Sequence, residues 1–256
     1  MSLTLQFHPD WPYQDGLVIE AMVRDGRYRS QFETGTSNDG LTAYPGGDRW
    51  RWESRLFDGK YDSLDPDSRP VYGAWNRNDD AYGGSPRFGS AHLRLRPHML
   101  ERATFCFPDS VFEPSEVSDA SALERLCDLA DSAGQDYLDD YVEAHIHSGL
   151  SFAEDVEAVV LDPCHREGAV AEAAGRFGCA VEFHPGFRLA TSALDASFRG
   201  PEPAALAQQL GELITPDLVA GAARSGEHEP QTVKRVWHLL ARFGGADAVS
   251  LSSDGS

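Results

Sequence analysis

The sequence predicts an α+β fold, and three observations lead to this class. Short segments in which apolar and polar residues alternate, as in β-strands, are spread over the first 190 residues. Segments with the helical spacing of apolar residues lie between them, and from residue 204 onward the pattern is helical. Because strands and helices are mixed along the chain and the strands must pair non-locally, α+β is the class that fits.

The first half of the chain is predicted to carry short strands and two helices. The strands are Leu3 to Phe7, Tyr28 to Phe32, His92 to Arg96 and Ala103 to Phe107. The helices are Gly16 to Val23, which ends at Asp25-Gly26, and Arg49 to Phe57, for which Asp48 is a candidate N-cap. Residues 61–90 are rich in Asp, Pro and Gly, and we predict a long loop there. Long ordered loops tend to be functional.

The second half is predicted to change from a mixed to a helical pattern. The mixed part consists of the helix Ser121 to Asp131, the strands Tyr141 to His147 and Val156 to Leu161, the helix Ala169 to Phe177 and the strand Ala180 to Phe183. Helices follow at Ala204 to Leu213, Leu218 to Arg224 and Gln231 to Phe243. We therefore expect a mixed core in residues 1–190. Residues 191–256 would form a helical C-terminal region, which is a candidate partner-docking element.

The charge of the chain restricts its expected partners. Its 256 residues include 41 acidic and 22 basic side chains, which gives a net charge of −19. A surface this negative repels phosphates, so we expect no nucleic-acid partner and, if any, a basic protein partner. No apolar stretch approaches the roughly 18 residues of a membrane helix, and the N-terminus lacks a basic region followed by an apolar run. We expect no membrane partner and a cytoplasmic location, or export without a cleaved signal peptide.

The four cysteines indicate no metal or redox motif of their own. Cys106, Cys127, Cys164 and Cys179 form no Cys-x-x-Cys pair, so a zinc ribbon or a thioredoxin-like motif is not supported. Four cysteines are also too few for a disulfide framework in a chain of this length. Reduced, buried thiols are the expected state.

The segment from Tyr28 to Asp48 is the first candidate site. It is too polar and too rich in glycine for a core, yet it carries Phe, Tyr and Leu side chains that a disordered linker lacks. Its predicted strand leads into the loop Thr34-Gly35-Thr36-Ser37-Asn38. Such a loop exposes backbone N–H groups together with hydroxyls, which suits a polar ligand. An ordinary surface turn is the alternative.

The predicted strand Tyr141 to His147 is the second candidate site. Since side chains alternate between the two faces of a strand, Glu143, His145 and His147 share one face, and the apolar residues between them share the other, buried one. Three interpretations stay open: a solvated sheet face, a metal site, and a catalytic glutamate on a rigid strand. The metal site lacks a clear further ligand, with only His8, His92 and His184 as distant candidates.

These segments resemble a known family. The strand Tyr141 to His147, followed by Gly149 and the apolar segment Asp155 to Leu161, resembles the catalytic strand of poly(ADP-ribose)-polymerase-like ADP-ribosyltransferases. Phe32 to Asn38 is similar to their first motif, a small segment that grips the nicotinamide amide. Val71 to Asn76 resembles their Tyr/Gly loop over the nicotinamide. Nearly the whole chain also resembles an uncharacterised-domain family that carries the motifs of Tyr28 to Arg49, Gly84 to Gly89, Arg102 to Phe105, Tyr141 to His147 and Lys234 to His238.

The resemblance implies an ADP-ribosyltransferase-like split β-sheet core and a set of roles. NAD would be the substrate, without a metal, and its ADP-ribose would be transferred to a threonine hydroxyl of a protein. Ubiquitin is a candidate acceptor, since bacterial effectors that modify ubiquitin are grouped with this family. Glu143 would be catalytic, with Asp109 or Asp48 as a second carboxylate. The candidate NAD-binding residues are Arg29, Glu33, Thr34, Gly35, Thr36, Ser37, Asn38, Tyr72 and Gly73.

Some of these residues also have simpler interpretations, and the chain departs from the family's motifs. Asp48 could be a helix N-cap, Asp109 a turn residue and Arg29 a partner in a surface ion pair. The first-motif histidine is replaced by Glu33-Thr34, and Tyr141 stands where arginine-modifying enzymes carry an acid or a glutamine. These departures argue against arginine modification and chain elongation. The alternatives are an NAD glycohydrolase, a metal-dependent hydrolase built on Glu143, His145 and His147, and a non-catalytic binding module.

Overall fold

The computed structural model describes residues 1–35, 43–114 and 116–246. The strands are β1 (Ser2–Phe7), β2 (Pro12–Tyr13), β3 (Gly16–Leu17), β4 (Val71–Asn76), β5 (Ala91–Leu95), β6 (Ala103–Cys106), β7 (Val142–Ile146), β8 (Val156–Leu161), β9 (Ala180–Phe183), β10 (Leu189–Ala190) and β11 (Leu213–Ile214). The α-helices are α1 (Val18–Asp25), α2 (Gln31–Thr34), α3 (Asp48–Leu56), α4 (Leu123–Ala133), α5 (Phe152–Asp155), α6 (Ala169–Ala174), α7 (Pro201–Leu210), α8 (Pro216–Ser225) and α9 (Pro230–Phe243).

One large sheet organises the fold. Within the described residues, seven strands pair in the order β6-β7-β4-β1-β5-β8-β9. Neighbours are antiparallel, except that β8 and β9 run parallel. The predicted α+β class is confirmed, since a mostly antiparallel sheet of strands distant in sequence is combined with several helices. Strands β4, β1 and β7, which bear the site described below, lie side by side or one strand apart in this sheet.

The larger apolar core packs three helices against the sheet. Leu5 of β1 and Leu93 of β5 are partners in register, and both are fully buried. The same cluster contains Ile19 of α1, Leu126 of α4 and Val170 of α6. Each large apolar side chain removed from water contributes about 1.5–3 kcal/mol to folding. This face of the sheet is therefore rigid, and it fixes the positions of the polar side chains on the opposite face.

A second apolar cluster joins the C-terminal helices to the rest of the chain. It combines side chains of α7, α8 and α9 with Tyr82 and Phe187. Trp237 of α9 is almost fully buried, and its indole N–H lies 3.1 Å from the carbonyl oxygens of both Pro86 and Arg87. The helical region thus packs onto the long segment between α3 and β5. A division into two domains at residue 190 stays a prediction.

The predicted strand Tyr28 to Phe32 is wrong, because the chain turns there into the short helix α2. The Ser30 hydroxyl accepts a hydrogen bond from the Glu33 N–H at 3.3 Å, and the Glu33 carboxylate accepts one from the Ser30 N–H at 3.0 Å. This reciprocal pair is a capping box, whose Ser-x-x-Glu signature is visible in the sequence. The local hydrogen bonds override the strand propensity of the aromatic residues.

The predicted loop at residues 61–90 is wrong in part, because residues 71–76 form β4 in the middle of the sheet. Gly73 lies so close to β1 that a Cβ there would come within 2.4 Å of the Thr4 carbonyl oxygen. A glycine in a strand often marks such a close backbone approach. The predicted N-cap is also wrong, since Gly47 caps α3 and Asp48 is its first helical residue.

Candidate active site

A cleft of about 540 Å³ opens beside strands β1, β4 and β7. Its walls include Gln6 and His8 from β1 and the residue after its end, Arg49 from α3, Tyr72 from β4, Asp109 from the loop after β6, and Glu143 from β7. The volume lies in the range of small-molecule and cofactor sites. The cleft thus gathers side chains from several separate segments around one buried carboxylate.

Glu143 is the buried carboxylate. It lies in register between Ala74 of β4 and Cys106 of β6 and is only 5% exposed. Burial raises the pKa of Glu143, whereas the nearby Arg49 guanidinium and hydrogen bonding from Ser110 oppose the rise. The solvated-face interpretation of this strand is wrong, because all five residues of β7 are buried on both of its faces.

Asp109 is the second carboxylate at this place. Its Oδ1 accepts a hydrogen bond from the Val111 N–H at 2.9 Å, and its Oδ2 accepts one from the Tyr141 hydroxyl. Burial and the charge of Glu143 raise the pKa of Asp109 to about 6. Asp109 is therefore a partly ionised acid near neutral pH, held in one orientation by two donors.

Arg49 and Tyr72 form another part of the cleft wall. The Arg49 guanidinium carbon lies 4.0 Å from the centre of the Tyr72 ring. The Tyr72 hydroxyl donates to Glu53 Oε2 at 3.0 Å, and Arg69 Nη1 lies 2.5 Å from Glu53 Oε1. Because Glu53 is itself fully buried and paired, it fixes Tyr72, and Tyr72 in turn supports Arg49.

Arg49 was missed as a site residue by the sequence analysis, and His8 appeared there only as a distant candidate metal ligand. His8 stacks on Trp11 with ring centroids 4.1 Å apart and meets Trp237 edge-on at 4.9 Å. Burial lowers the pKa of His8 to about 3, and the nearby Lys234 contributes to the decrease, so the ring is neutral. A histidine directly after a buried strand was the signal available for His8. Arg49 follows the predicted Asp48, and its helical position turns it towards the cleft.

Among the residues expected to bind NAD, several line the cleft and others do not. Arg29 lines it and pairs with Asp25 at 2.8 Å. Thr34, Tyr72 and Gly73 also line it. Glu33 is instead engaged with Arg27 and with the cap of α2. Gly35 is exposed and ends α2 with a φ of 65°. Thr36, Ser37 and Asn38 lie outside the described residues.

Of the two candidate second carboxylates, the structure brings Asp109 and not Asp48 next to Glu143. Asp48 lies at the exposed start of α3, outside the walls of the cleft, with its carboxylate 3.4 Å from the Arg51 guanidinium. Asp109 interacts directly with the charge of Glu143. This proximity makes Asp109 the better candidate for a base.

A group of metal-binding atoms exists, but it differs from the expected one. Within the described parts of the chain, Cys106, Glu143 and His145 offer ligand atoms that lie within 4.8 Å of one another. The His145 Nε2 is only 2.8 Å from Glu143 Oε1, the distance of a direct hydrogen bond. His147 instead bonds to Thr104 and Tyr61. The arrangement fits a hydrogen-bonded network better than an ion held between ligands.

The charges around the cleft differ from those of the whole chain. Among the described residues that line it, five are basic, namely Arg27, Arg29, Arg49, Arg87 and Lys234. Three are acidic, namely Asp25, Asp109 and Glu143. The cleft therefore carries a local excess of cationic side chains in a protein whose net charge is −19. The net charge, which averages over the whole surface, says little about what this cleft admits.

Two solved structures are similar to the chain at low sequence identity. One is described as Thermus sp. 2.9 DarT in complex with NAD+, with 11% identity, 71% of this chain and 94% of that chain covered, and a TM-score of 0.42. The other is Thermus sp. 2.9 DarT in complex with ADP-ribosylated ssDNA, with 11% identity, 71% and 93% coverage, and a TM-score of 0.43.

The predicted partners are contradicted by this comparison. The expectation of a protein acceptor, with nucleic acid excluded, is wrong, because the similar protein is described in complex with ADP-ribosylated single-stranded DNA. The physical weakness of the prediction is its use of the net charge, which hides the cationic lining of the cleft. Ubiquitin and other protein acceptors are therefore withdrawn.

The structure can be searched for helices that could span a membrane. No helix in the parts of the chain that the structure describes is long and apolar enough to span a membrane. Whether the protein acts in the cytoplasm or is exported stays a prediction.

Family relationships follow from the sequence itself. No protein of curated function matches the chain. A family model described as protein of unknown function (DUF3626) matches residues 2–128 and 119–243, which together span nearly the whole chain. The chain belongs to the DUF3626 family of proteins of unknown function.

Proposed function

We propose that this chain cleaves NAD in the cleft and transfers its ADP-ribose to an acceptor. The observation that carries the proposal is Glu143, a buried carboxylate at the wall of a cofactor-sized cleft with a second carboxylate beside it. Burying an acid in a fold costs stability. A buried acid at the wall of a cleft is therefore a candidate for a functional role. The resemblance of the Glu143 strand to the catalytic strand of ADP-ribosyltransferases agrees with this role.

Glu143 would stabilise the positive charge that develops when the glycosidic bond breaks. Nicotinamide leaves with the bonding electrons, and the ribose carbon becomes cationic, like an oxocarbenium ion. A fixed anion in a water-poor site stabilises such a charge far better than solvent does. Burial raises the pKa of Glu143, but Arg49 opposes the rise and favours the ionised form that this step requires.

Asp109 would accept the proton of the incoming nucleophile. Its pKa, raised to about 6 by burial and by the charge of Glu143, lies near neutral pH, where a general base works best. The Tyr141 hydroxyl and the Val111 N–H hold the carboxylate in place. Taking up a proton would also relieve its repulsion with Glu143, so the two acids would act as a coupled pair.

The basic residues along the cleft would bind the two phosphates of NAD. Arg29 is a proposed phosphate ligand, and Arg49, Arg87 and Lys234 provide further positive charge on the same walls. Arginine forms strong paired hydrogen bonds with phosphate oxygens. Tyr72 and Gly73, which also line the cleft, are proposed to contact the nicotinamide end.

The acceptor is proposed only by its chemistry, as a nucleophile that loses a proton to Asp109. Water as acceptor would make the protein an NAD glycohydrolase that uses the same residues. A single-stranded nucleic acid is the second candidate, because the local excess of cationic residues at the cleft would attract a polyanion.

The experiment measures nicotinamide release from NAD by the purified chain, by Glu143→Gln and by Glu157→Gln. Glu157 is a matched control, since it is also a strand glutamate but its side chain is 48% exposed on β8. Loss of the charge at Glu143 should lower turnover by roughly two orders of magnitude or more, whereas Glu157→Gln should behave like the wild type. Equal activity of both variants would refute the assignment of Glu143.

The acceptor is identified in the same reaction by intact mass. Free ADP-ribose alone identifies water as the acceptor. A mass increase of an added single-stranded oligonucleotide identifies a nucleic acid. Melting temperatures with NAD and with zinc distinguish NAD chemistry from a metal-dependent hydrolase. A ligand that binds the folded state raises the melting temperature, so we expect the increase with NAD and not with zinc.

A further inference from the structure

A continuous chain of hydrogen bonds runs from the buried Tyr61 to Glu143. The Tyr61 hydroxyl lies 2.5 Å from His147 Nδ1, and His147 Nε2 lies 2.8 Å from Thr104 Oγ1. Thr104 Oγ1 lies 3.2 Å from His145 Nδ1, and His145 Nε2 lies 2.8 Å from Glu143 Oε1. We call Tyr61, His147, Thr104 and His145 the donor chain. Neither the family match nor the proposed reaction uses its first three members.

The ionised state of Glu143 fixes the direction of every bond in the donor chain. A carboxylate can only accept, so His145 Nε2 must donate to it. Burial lowers the pKa of His145 to about 3, so the ring is neutral and its Nδ1 must accept the single proton of Thr104. The Thr104 oxygen then accepts from His147 Nε2.

The same reasoning reaches the outer end of the donor chain. Burial, with the neighbouring His145, lowers the pKa of His147 to about 4, so this ring is also neutral at neutral pH. Its Nε2 carries the proton, and its Nδ1 therefore accepts from the Tyr61 hydroxyl. All four donors consequently point towards Glu143, and each bond strengthens the next by polarisation.

Aromatic side chains shield part of this arrangement from water. The Phe57 ring contacts His145 and His147 edge-on, with centroids 5.1 and 5.4 Å apart. Tyr61 is itself only 4% exposed and lies parallel to the His147 ring. His145 is fully buried, so breaking one of its hydrogen bonds would leave a buried polar atom without a partner.

We propose that the donor chain is a set of positioning residues, which hold Glu143 ionised and fixed in orientation. The proposal rests on the proposed function only in taking Glu143 as the catalytic carboxylate. None of the four residues lines the cleft, so each would act through Glu143 and not by touching NAD. A hydrogen bond to a carboxylate is stronger than one to a neutral carboxyl group, so the donation from His145 Nε2 favours the ionised form of Glu143.

Other charged or titratable groups also face this network. Glu143 is faced by Arg49 of α3, Asp109 of the loop after β6 and Cys106 of β6. His145 is faced by Arg49 and Asp109, and His147 by Lys60. Tyr72 and Tyr141 also interact with the charge of Glu143. Arg49 stabilises the ionised carboxylate from the cleft side, and the donor chain does so from the side of the sheet.

The test compares Thr104→Val with Thr104→Ser and with the control Thr191→Val. Valine has nearly the shape of threonine but removes the hydroxyl that links the two histidines, whereas serine keeps it. Thr191 donates to the Gly211 carbonyl at 3.0 Å, far along the chain from the cleft, so its loss removes a threonine hydrogen bond without touching the donor chain. Melting temperatures establish that each variant is folded.

The first readout is nuclear magnetic resonance, which is independent of activity. Ring ¹⁵N shifts of the wild type should report neutral His145 and His147, each with its proton on Nε2. In Thr104→Val, the carboxyl ¹³C titration of Glu143 should move to higher pH, and in Thr104→Ser and Thr191→Val it should not. A proton on Nδ1 of either histidine, or an unchanged Glu143 titration in Thr104→Val, would overturn the proposal.

The second readout is the pH profile of NAD turnover. Loss of charge-stabilising hydrogen bonds should move the acid limb of kcat upward and lower kcat about tenfold at acidic pH, with KM for NAD unchanged. Thr104→Ser should restore the wild-type profile. If the wild type does not consume NAD, the proposed function fails while the resonance experiment still decides the direction of the donor chain. A purely structural role would lower stability and leave both titrations in place.

Discussion

The guanidinium of Arg49 lies over the ring of Tyr72, with 4.0 Å between its central carbon and the ring centre. This contact holds a cation of α3 at the wall of the cleft, where it interacts with the charges of Glu143 and Asp109. Stacking on an aromatic ring orients a guanidinium without using up its N–H groups. The Arg49 Nε–H is in fact buried without a hydrogen-bond partner among the described residues. The other guanidinium N–H groups of Arg49 remain candidates for contacts with a ligand in the cleft.

Arg49→Gln should weaken NAD binding. The lost guanidinium would remove a charge-assisted hydrogen bond to the ligand, so we expect the dissociation constant to rise at least about tenfold. Arg51→Gln is the control, because Arg51 lies two residues along the same helix but is exposed and pairs with Asp48 at 3.4 Å. Calorimetry measures both affinities. If the two variants lose affinity equally, NAD binding depends on the total charge of this helix and not on the position of Arg49 in the cleft.

Asp109→Asn should change how stability depends on pH. Burial and the charge of Glu143 raise the pKa of Asp109 to about 6. A raised carboxyl pKa favours the protonated form in the folded state, so this contribution is present below the unfolded pKa near 4 and is lost as the pH rises through about 6. At pH 8 the ionised carboxyl costs roughly 3 kcal/mol. The variant should therefore melt higher than the wild type at pH 8 and equally at pH 4.

Asp119→Asn is the matched control for that experiment. Asp119 Oδ1 accepts from the Ser121 N–H at 2.9 Å, the same local bond that Asp109 makes with Val111, but Asp119 is exposed. Hydrogen bonds from Ser121 lower the pKa of Asp119, so its replacement should slightly lower stability above pH 4. A gain of stability at pH 8 in both variants would show that buried charge is not the cause.

The elements that follow simple periodicity could be predicted from the sequence. The strand Val156 to Leu161 is β8 with the same bounds, and the helix predicted at Gln231 to Phe243 is α9 with one more residue at its start. In α9 the apolar side chains recur at the helical period and face a core, and in β8 a short apolar run is buried on both faces, so local pattern and tertiary packing agree. At residues 28–32 a local capping box outweighed the strand pattern, and at residues 71–76 the pattern of a central strand was hidden in a segment rich in turn residues.

The candidate site could be predicted only where one strand carries it. Glu143, His145 and His147 share a face because of their spacing alone, which sequence can show. Arg49, which faces Glu143, and Thr104, which bonds to His145, come from other segments that are brought near this strand by sheet order and helix packing. Local spacing contains no information about such contacts. The same holds for the cationic lining of the cleft, which the net charge conceals.

A comparison of two glycines tests whether the segment after α2 grips NAD. Gly26 and Gly35 both end a helix at a positive φ, 67° and 65°, and a Cβ at either would meet no atom of the described residues within 4 Å. Alanine at either position should therefore destabilise the fold by the same amount, about 1 kcal/mol. Gly35→Ala should in addition weaken NAD binding if the backbone of this segment contacts the nicotinamide amide, whereas Gly26→Ala should not.

Calorimetry with NAD and thermal melts of both variants give the answer. Equal losses of stability together with a lower NAD affinity of Gly35→Ala alone would support the predicted role of the segment. Unchanged affinity in both would assign Gly35 to capping α2 and nothing more.

NAD turnover should survive an excess of chelator. The three grouped ligand atoms of Cys106, Glu143 and His145 include a direct hydrogen bond of 2.8 Å, and burial strongly raises the pKa of the Cys106 thiol, which disfavours the thiolate that zinc requires. Cys106→Ala removes one of the three atoms and leaves the carboxylates of Glu143 and Asp109 in place. This variant should therefore keep its NAD turnover. Zinc should raise the melting temperature of neither chain, and NAD should raise that of both. A different set of results would identify a metal-dependent hydrolase. Chelator would then abolish the activity of the wild type, zinc would restore it, and Cys106→Ala would be inactive. In that case the hydrogen bond between Glu143 and His145 would have to open to admit the ion.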